Sequence, residues 1–314
     1  MPTEIDEKKP RFDPGLTQQY TSGLNRVIKR DGNFNVRRKN GSWRDSHPYL
    51  FLVSISWPRF ISMVFAAFLV LNTIFALLYI AVGLEYLKNS EAPTFWERFL
   101  NAFFFSAHTL TTVGYGNMWP VGPWANLVAA TESLFGVLGF AIATGLMFGR
   151  FSKPSARLGF SQTAIIAPYQ GGTSLQFRVT NRRSNNIINV DAQVLLMMVE
   201  ICDGVRQRRF LPLELERKDL LFFALTWTVV HPINERSPLW GKTAKQVEAE
   251  QTEIIILIRG FDDTFGQNVH MRYSYRYDEI IWGARFTPAF DVEPNGDLMV
   301  DLERIGATTD AVLP

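Results

Sequence analysis

The sequence predicts a helical membrane domain, with two spans around a re-entrant helix and loop, followed by an all-β sandwich domain. Three observations predict it. Two long stretches in the first half are almost free of charge, a short apolar segment between them ends in a glycine-bearing hexapeptide, and the second half breaks into short β-type runs separated by turn formers. A net charge of +2 over 314 residues gives no general basis for nucleic-acid binding. The single cysteine, Cys202, excludes an intrachain disulfide framework and reads as an ordinary buried thiol. Residues 1–10 are polar and mixed in charge rather than basic then apolar, so they do not read as a cleaved secretory signal and are expected to be disordered.

Residues 60–84 carry no charged side chain. About 25 helical residues suffice to cross a roughly 30 Å hydrocarbon core, so this is the first span, with bounds 59–84. Residues 119–148 form the second, assigned to 120–149, interrupted only by Glu132 and rich in small residues such as Gly136, Gly139, Ala143 and Gly145. Basic residues precede the first span (Arg26, Lys29, Arg30, Arg37, Arg38, Lys39, Arg44) and follow the second (Arg150, Lys153, Arg157), which puts both termini in the cytoplasm. The chain then reads as a cytoplasmic segment 1–46, a membrane domain 59–150 and a cytoplasmic sandwich 151–314. Residues 47–58, apolar and aromatic with Pro58 near the end, read either as a helix sliding along the inner interface or as an extension of the first span.

Residues 94–110 are too short and too close to both spans for a separate crossing, and Thr111-Thr112-Val113-Gly114-Tyr115-Gly116 follows at once. Irregular backbone at membrane depth survives only where protein encloses it or water reaches it, so this segment implies a pore. Pro93 can start the short helix, whose carbonyl end would favour a cation. Carbonyls of Thr112, Val113, Gly114, Tyr115 and Gly116, with the Thr112 hydroxyl, supply the oxygen rings that replace the hydration shell of K+. Gly114 and Gly116 provide the backbone angles that turn successive carbonyls one way, while Val113 and Tyr115 pack outward, with Phe103, Phe104 and Phe105 available as partners. One loop cannot encircle an ion, so about four copies of the chain must meet on an axis as a homotetramer.

At these residues the chain resembles the potassium-channel family, and within it the prokaryotic inward rectifiers. The narrower resemblance rests on Ser56-Trp57-Pro58, Ala102-Phe103-Phe104-Phe105-Ser106 and Gly149-Arg150-Phe151-Ser152-Lys153-Pro154. Leu225 to Ile233 (LTWTVVHPI), Ser237-Pro238-Leu239-Trp240-Gly241 and Asp278-Glu279-Ile280-Ile281-Trp282-Gly283 extend it across the β-domain. It implies passive, potassium-selective conduction, an immunoglobulin-like cytoplasmic fold, K+ at the filter as the only metal, no organic cofactor, and a bacterial inner membrane. The chain departs from the family pattern at His108, where an acidic or amide residue is frequent, and at Asn117, where aspartate is usual. His108 is read either as a pH-sensitive group behind the filter or as a neutral, hydrogen-bonded support.

Positions 132, 136, 140, 144 and 148 recur every four residues on the second span and define an approximate face. That face predicts Glu132, Phe140 and Thr144 as pore-lining. The resemblance makes Phe148 a gate of four aromatic rings, with a lipid-facing phenylalanine as the bland reading. Phe140 stands where strong rectifiers are acidic, which argues against strong polyamine block by that route; Ba2+, Mg2+ and polyamines remain candidate blockers. Glu132 needs a polar partner and either braces the filter or draws in blockers. Gly136 and Gly145 are either bending points or close-packing glycines. Arg150, Lys153 and Arg157 lie where anionic lipid would add about 1 kcal/mol each; the resemblance extends this to phosphoinositides, and fixing orientation is the alternative role.

The second half reads as an antiparallel sandwich with a short helix at 243–250. No phosphate loop, metal cluster or nucleophile-base pair is legible, so no enzyme is predicted. A β-sandwich scaffold or lipid-binding protein anchored by a non-conducting pore is the competing function.

Overall fold

The computed structural model describes residues 14–16, 19–20, 26–36, 39, 47–152, 157–202 and 204–314. Lys153, Arg37, Arg38, Arg44, residues 1–10 and the Cys202 side chain, on which expectations rested, lie outside the described residues. The chain forms two compact units, one of residues 39–153 and one of residues 1–38 with 154–314.

After β1 (Gln19–Tyr20), which belongs to the second unit, the first unit runs α1 (Pro48–Ser54), α2 (Trp57–Val82), β2 (Leu87–Lys88), α3 (Phe95–Leu110), β3 (Trp119–Pro120) and α4 (Gly122–Phe151). Proline stands in the first turn of α1, α2 and α4, where its missing N–H has no helical partner to lose. Ile55 and Ser56 are extended, so α1 and α2 are separate helices, and Trp57 and Pro58 open α2. α2 and α4 are long enough to cross a bilayer, and their most apolar windows are only 17% and 11% buried, unlike a soluble core helix. Pro93 does not start α3. Thr94 does, through a capping box in which its hydroxyl accepts from the Glu97 N–H and the Glu97 carboxylate accepts from the Thr94 N–H. β2 and β3 pair antiparallel, tying the end of α2 to the start of α4.

The second unit is a sandwich. It continues with β4 (Leu158–Phe160), β5 (Ala164–Tyr169), β6 (Gly172–Asn181), β7 (Ile187–Cys202), β8 (Val205–Pro212), β9 (Asp219–Phe222) and β10 (Thr226–Ile233). After the six-residue α5 (Ala244–Ala249) come β11 (Glu253–Asp262), β12 (Gln267–Arg276) and β13 (Ile280–Trp282). One sheet has the order β1-β8-β7-β11-β12, with β9 on β7; the other has β10-β6-β5-β13, with β4 on β6. Every second residue of β7 from Val190 to Met198 is buried, as are Leu175, Phe177 and Val179 on β6 and Ile254, Ile256 and Ile258 on β11. This period of two is what a strand with one face on a core requires.

Three of the motif residues of the β-domain, His231, Ser237 and Glu279, make structural contacts. His231 is buried; its Nδ1–H donates to the Glu214 carbonyl at 2.6 Å, and its Nε2 accepts from the Ser237 hydroxyl at 2.7 Å. Burial lowers its pKa, so the neutral ring is the stable form. Glu279 anchors part of the N-terminal segment, whose Arg26 and Arg30 the sequence marks only as basic residues ahead of the first span. Residues 26–36 fold back as a turn on the sandwich, with Val27 and Ile28 buried and an Ile28–Phe34 bridge. The Glu253 carboxylate accepts from the Val27 N–H at 2.9 Å. Glu279 pairs with Arg26 at 3.1 Å and with Arg30 at 2.6 Å. Burial would raise the Glu279 carboxyl, but the Arg276 N–H and the guanidinium groups of Arg30 and Arg26 outweigh it and hold its pKa low.

A depressed folded pKa means that this clamp is at full strength above the unfolded-chain value of 4.5 and is lost as pH falls through the lower folded value. Hydrogen exchange of amides 27–34, corrected for intrinsic rates, is therefore expected to accelerate below that range. Glu279→Gln should produce the same acceleration at pH 7, worth about 1 kcal/mol given the exposure of Arg30, with exchange in β7 and β11 unchanged.

Candidate ion pathway

The segment after α3 leaves the helical path at Thr111 and is exposed in the single chain from Thr111 to Asn117. Thr112, Gly114 and Gly116 have φ of 60°, 54° and 76°. A Cβ meets nothing near Gly114, yet the left-handed backbone alone would strain an alanine there. The end of α3 holds the segment: Val113 and Gly114 both donate to the His108 carbonyl, at 2.8 and 3.2 Å. Tyr115 packs edge-on against the His108 ring, 4.7 Å between centroids. Within the chain the expected aromatic partners are engaged elsewhere, since Phe103 contacts Phe99 and Phe104, and Phe105 contacts Tyr79. Asn117 lends its carbonyl to the Asn89 side chain at 3.1 Å.

Behind this segment, α2, α3 and α4 meet through polar side chains. Glu132 is 0% exposed. Tyr79 donates to its Oε2 at 2.7 Å, and the Ser106 hydroxyl lies against its Oε1 and 2.9 Å from Asn72 Oδ1. Asn72 Nδ2 donates to the Phe68 carbonyl at 2.7 Å. One turn further along α4, a Cβ on Gly136 would fall 2.0 Å from the Leu110 carbonyl oxygen. Gly136 thus packs α4 on the last residue of α3, and α4 stays helical through both Gly136 and Gly145.

The expectation that Glu132 lines the pore is corrected. A helix turns about 100° per residue, so five positions spaced by four drift by about 160° overall. Glu132 and Gly136 lie buried against α3, whereas Phe140 and Phe148 are 76% and 73% exposed, and Thr144 is exposed with them. Gly145 has open space around it.

At the far end of α4, Arg150 is engaged within the unit. Its guanidinium donates to the carbonyls of Leu52 and Ile55, the latter at 2.6 Å, and stacks on Trp57 and Phe60 at 4.7 and 4.5 Å. Gly149 admits the Tyr49 hydroxyl, and Phe151 packs on Trp57 at 4.8 Å. The C-terminal carbonyls of α1 are thereby tied to the last turn of α4. Arg157 is exposed.

Two family models match the chain: the inward rectifier potassium channel C-terminal domain over residues 158–314 and an ion channel domain over residues 63–153. Inward rectifier potassium channel Kirbac3.1 from Paramagnetospirillum magnetotacticum is 38% identical over 88% of this chain and 93% of its own length. G protein-activated inward rectifier potassium channel 2 from Homo sapiens is 28% identical over 93% of this chain and 74% of its own. ATP-sensitive inward rectifier potassium channel 12 from Gallus gallus is 27% identical, over 90% and 72%.

Gly136→Val should wedge α3 away from α4. Overpacking of this kind costs about 1–3 kcal/mol. The expected result is a lower melting temperature of the purified protein in detergent, and a smaller drop for Gly145→Val, which meets nothing within its own chain.

Proposed function

The chain belongs to the inward-rectifier potassium channel family, a membrane protein family, and from that membership we propose that four copies conduct K+ passively through a filter formed by Thr112, Val113, Gly114, Tyr115 and Gly116. The observation that carries this reading is the backbone of that segment. Left-handed φ at Thr112, Gly114 and Gly116 lets carbonyls of neighbouring residues face the same way, which a ring of oxygen ligands for a dehydrated K+ requires. The segment's exposure in a lone chain fits a surface completed by the other copies. His108 supports the filter by carrying Tyr115 and by accepting two of its amide hydrogen bonds at the backbone.

Phe140, Thr144 and Phe148 line the inner path, and four Phe148 rings close it at the cytoplasmic end by excluding water. Arg150 acts by joining α1 to α4 beside Phe148, so that a displacement of α1 along the inner interface moves the gate. Arg157, which is exposed, meets anionic lipid headgroups, phosphoinositides included, and Lys153, outside the described residues, is assigned the same role from its place in the sequence. Both termini are cytoplasmic, on the inner face of a bacterial plasma membrane. Ba2+ blocks at the filter, and the apolar Phe140 leaves Mg2+ and polyamines without a carboxylate in the cavity.

The test is Rb+ uptake driven by a K+ gradient into liposomes holding the purified tetramer. Uptake is expected to be blocked by Ba2+, to fail when Na+ replaces K+ as the driving ion, and to be lost in Gly114→Ala, where a left-handed alanine costs about 1–2 kcal/mol in each of the four loops. Absence of uptake from a verified tetramer and from Phe148→Ala alike would reject conduction. In the same assay Arg150→Ala should change Ba2+-sensitive uptake severalfold, and Arg150→Lys should not restore it, because an ammonium cannot reach two carbonyls and stack on Trp57 together.

A further inference from the structure

Proton counting around the buried carboxyl of α4 gives a result that the conduction reading does not require. Three oxygen-to-oxygen contacts run in series: Tyr79 Oη to Glu132 Oε2, Glu132 Oε1 to Ser106 Oγ, and Ser106 Oγ to Asn72 Oδ1. Each needs one hydrogen. Tyr79 and Ser106 carry one hydroxyl hydrogen apiece, which leaves the series one short. Reversing the Asn72 amide does not supply the third. It would give Ser106 an N–H donor but set the amide oxygen 2.7 Å from the Phe68 carbonyl oxygen, again with no hydrogen between two acceptors. Glu132 is 0% exposed, and among the described residues no Lys, Arg or His forms an ion pair with it. A carboxylate there would be a buried charge with no counter-charge and one contact too many.

We propose that Glu132 is a neutral carboxylic acid that serves as a positioning residue for the filter. Its Oε1–H donates to Ser106 Oγ, Ser106 donates to Asn72 Oδ1, Asn72 donates to the Phe68 carbonyl, and Tyr79 donates to the free carbonyl oxygen Oε2. Every group in the series is satisfied once. The series joins α4 to α2 through the middle of α3, one turn from the Gly136–Leu110 packing contact and six residues before Thr112. All its members belong to one subunit, so the arrangement is complete before any assembly. The acid contributes no charge to the pore and fixes the height at which α3 presents its last carbonyls.

Glutamine reproduces this pattern, with its amide N–H replacing the acid hydrogen and its carbonyl replacing Oε2, whereas alanine leaves the Tyr79 hydroxyl without its acceptor and the Ser106 oxygen without its donor. The experiment compares full-length tetramers in liposomes at pH 7 by infrared difference spectroscopy, wild type minus Glu132→Gln. The band lost is expected to be the C=O stretch of a protonated carboxyl, and Tyr79→Phe should move that band to higher frequency by removing the hydrogen bond to Oε2. Loss of carboxylate stretches instead, or a Tyr79→Phe protein whose protonated-carboxyl region is unchanged, would overturn the proposal. Ba2+-sensitive Rb+ uptake is the second readout, with Glu132→Gln within twofold of wild type and Glu132→Ala reduced at least tenfold. A tenfold loss in Glu132→Gln would overturn the positioning role. The uptake readout rests on the proposed filter and the infrared readout does not, so failure of one reading is distinguishable from failure of the other.

Discussion

Backbone that leaves a helix inside a bilayer has no water to satisfy it, so protein must hold it, and this constraint organises the whole membrane unit. The segment 112–116 starts from the end of α3, which is therefore fixed from both sides. Leu110 sits on Gly136 of α4, Ser106 meets Glu132 of α4 and Asn72 of α2, and Tyr79 closes the circuit. The Thr94 capping box and the β2–β3 pair hold the other end. In an apolar medium each of these polar contacts has few competitors, so the buried carboxyl finds its partners on the neighbouring helices.

The same reasoning separates the two ends of α4. Where α4 faces α3 it carries Glu132 and Gly136, a polar group and a small one, both buried. Past Gly139 it carries Phe140, Thr144 and Phe148, which a single chain leaves exposed. The helix does not change character; its face rotates by about 40° for each step of four, so residues that look aligned in sequence diverge around the axis. Arg150 then ends the helix in a contact of a different kind, a planar cation between two aromatic rings and two carbonyls of α1.

The β-domain draws its stability from a core of aliphatic and aromatic residues between its two sheets and uses two buried or half-buried carboxylates for attachment. Glu279 and Glu253 bind a segment more than 200 residues distant in sequence. His231, by contrast, is neutral and saturated by Glu214 and Ser237, which makes that motif a folding element.

The sequence by itself determined the two spans, the re-entrant helix, the glycine-bearing segment and the sandwich, because each is local: runs of uncharged residues, alternation of period two, and residue types that tolerate left-handed backbone. It could also show that Glu132, alone in an apolar helix, needs a polar partner. Which partner depended on the tertiary structure, since Tyr79 and Ser106 are 53 and 26 residues away and no periodicity links them. The same holds for Gly136, whose role as a contact and not a bend is visible only against Leu110. Arg150 resembled its basic neighbours in sequence until Leu52, Ile55, Trp57 and Phe60 were brought around it. Local propensity is written in neighbouring residues, whereas the pairing of buried polar groups is decided by which helices meet, and that is settled only when the chain packs.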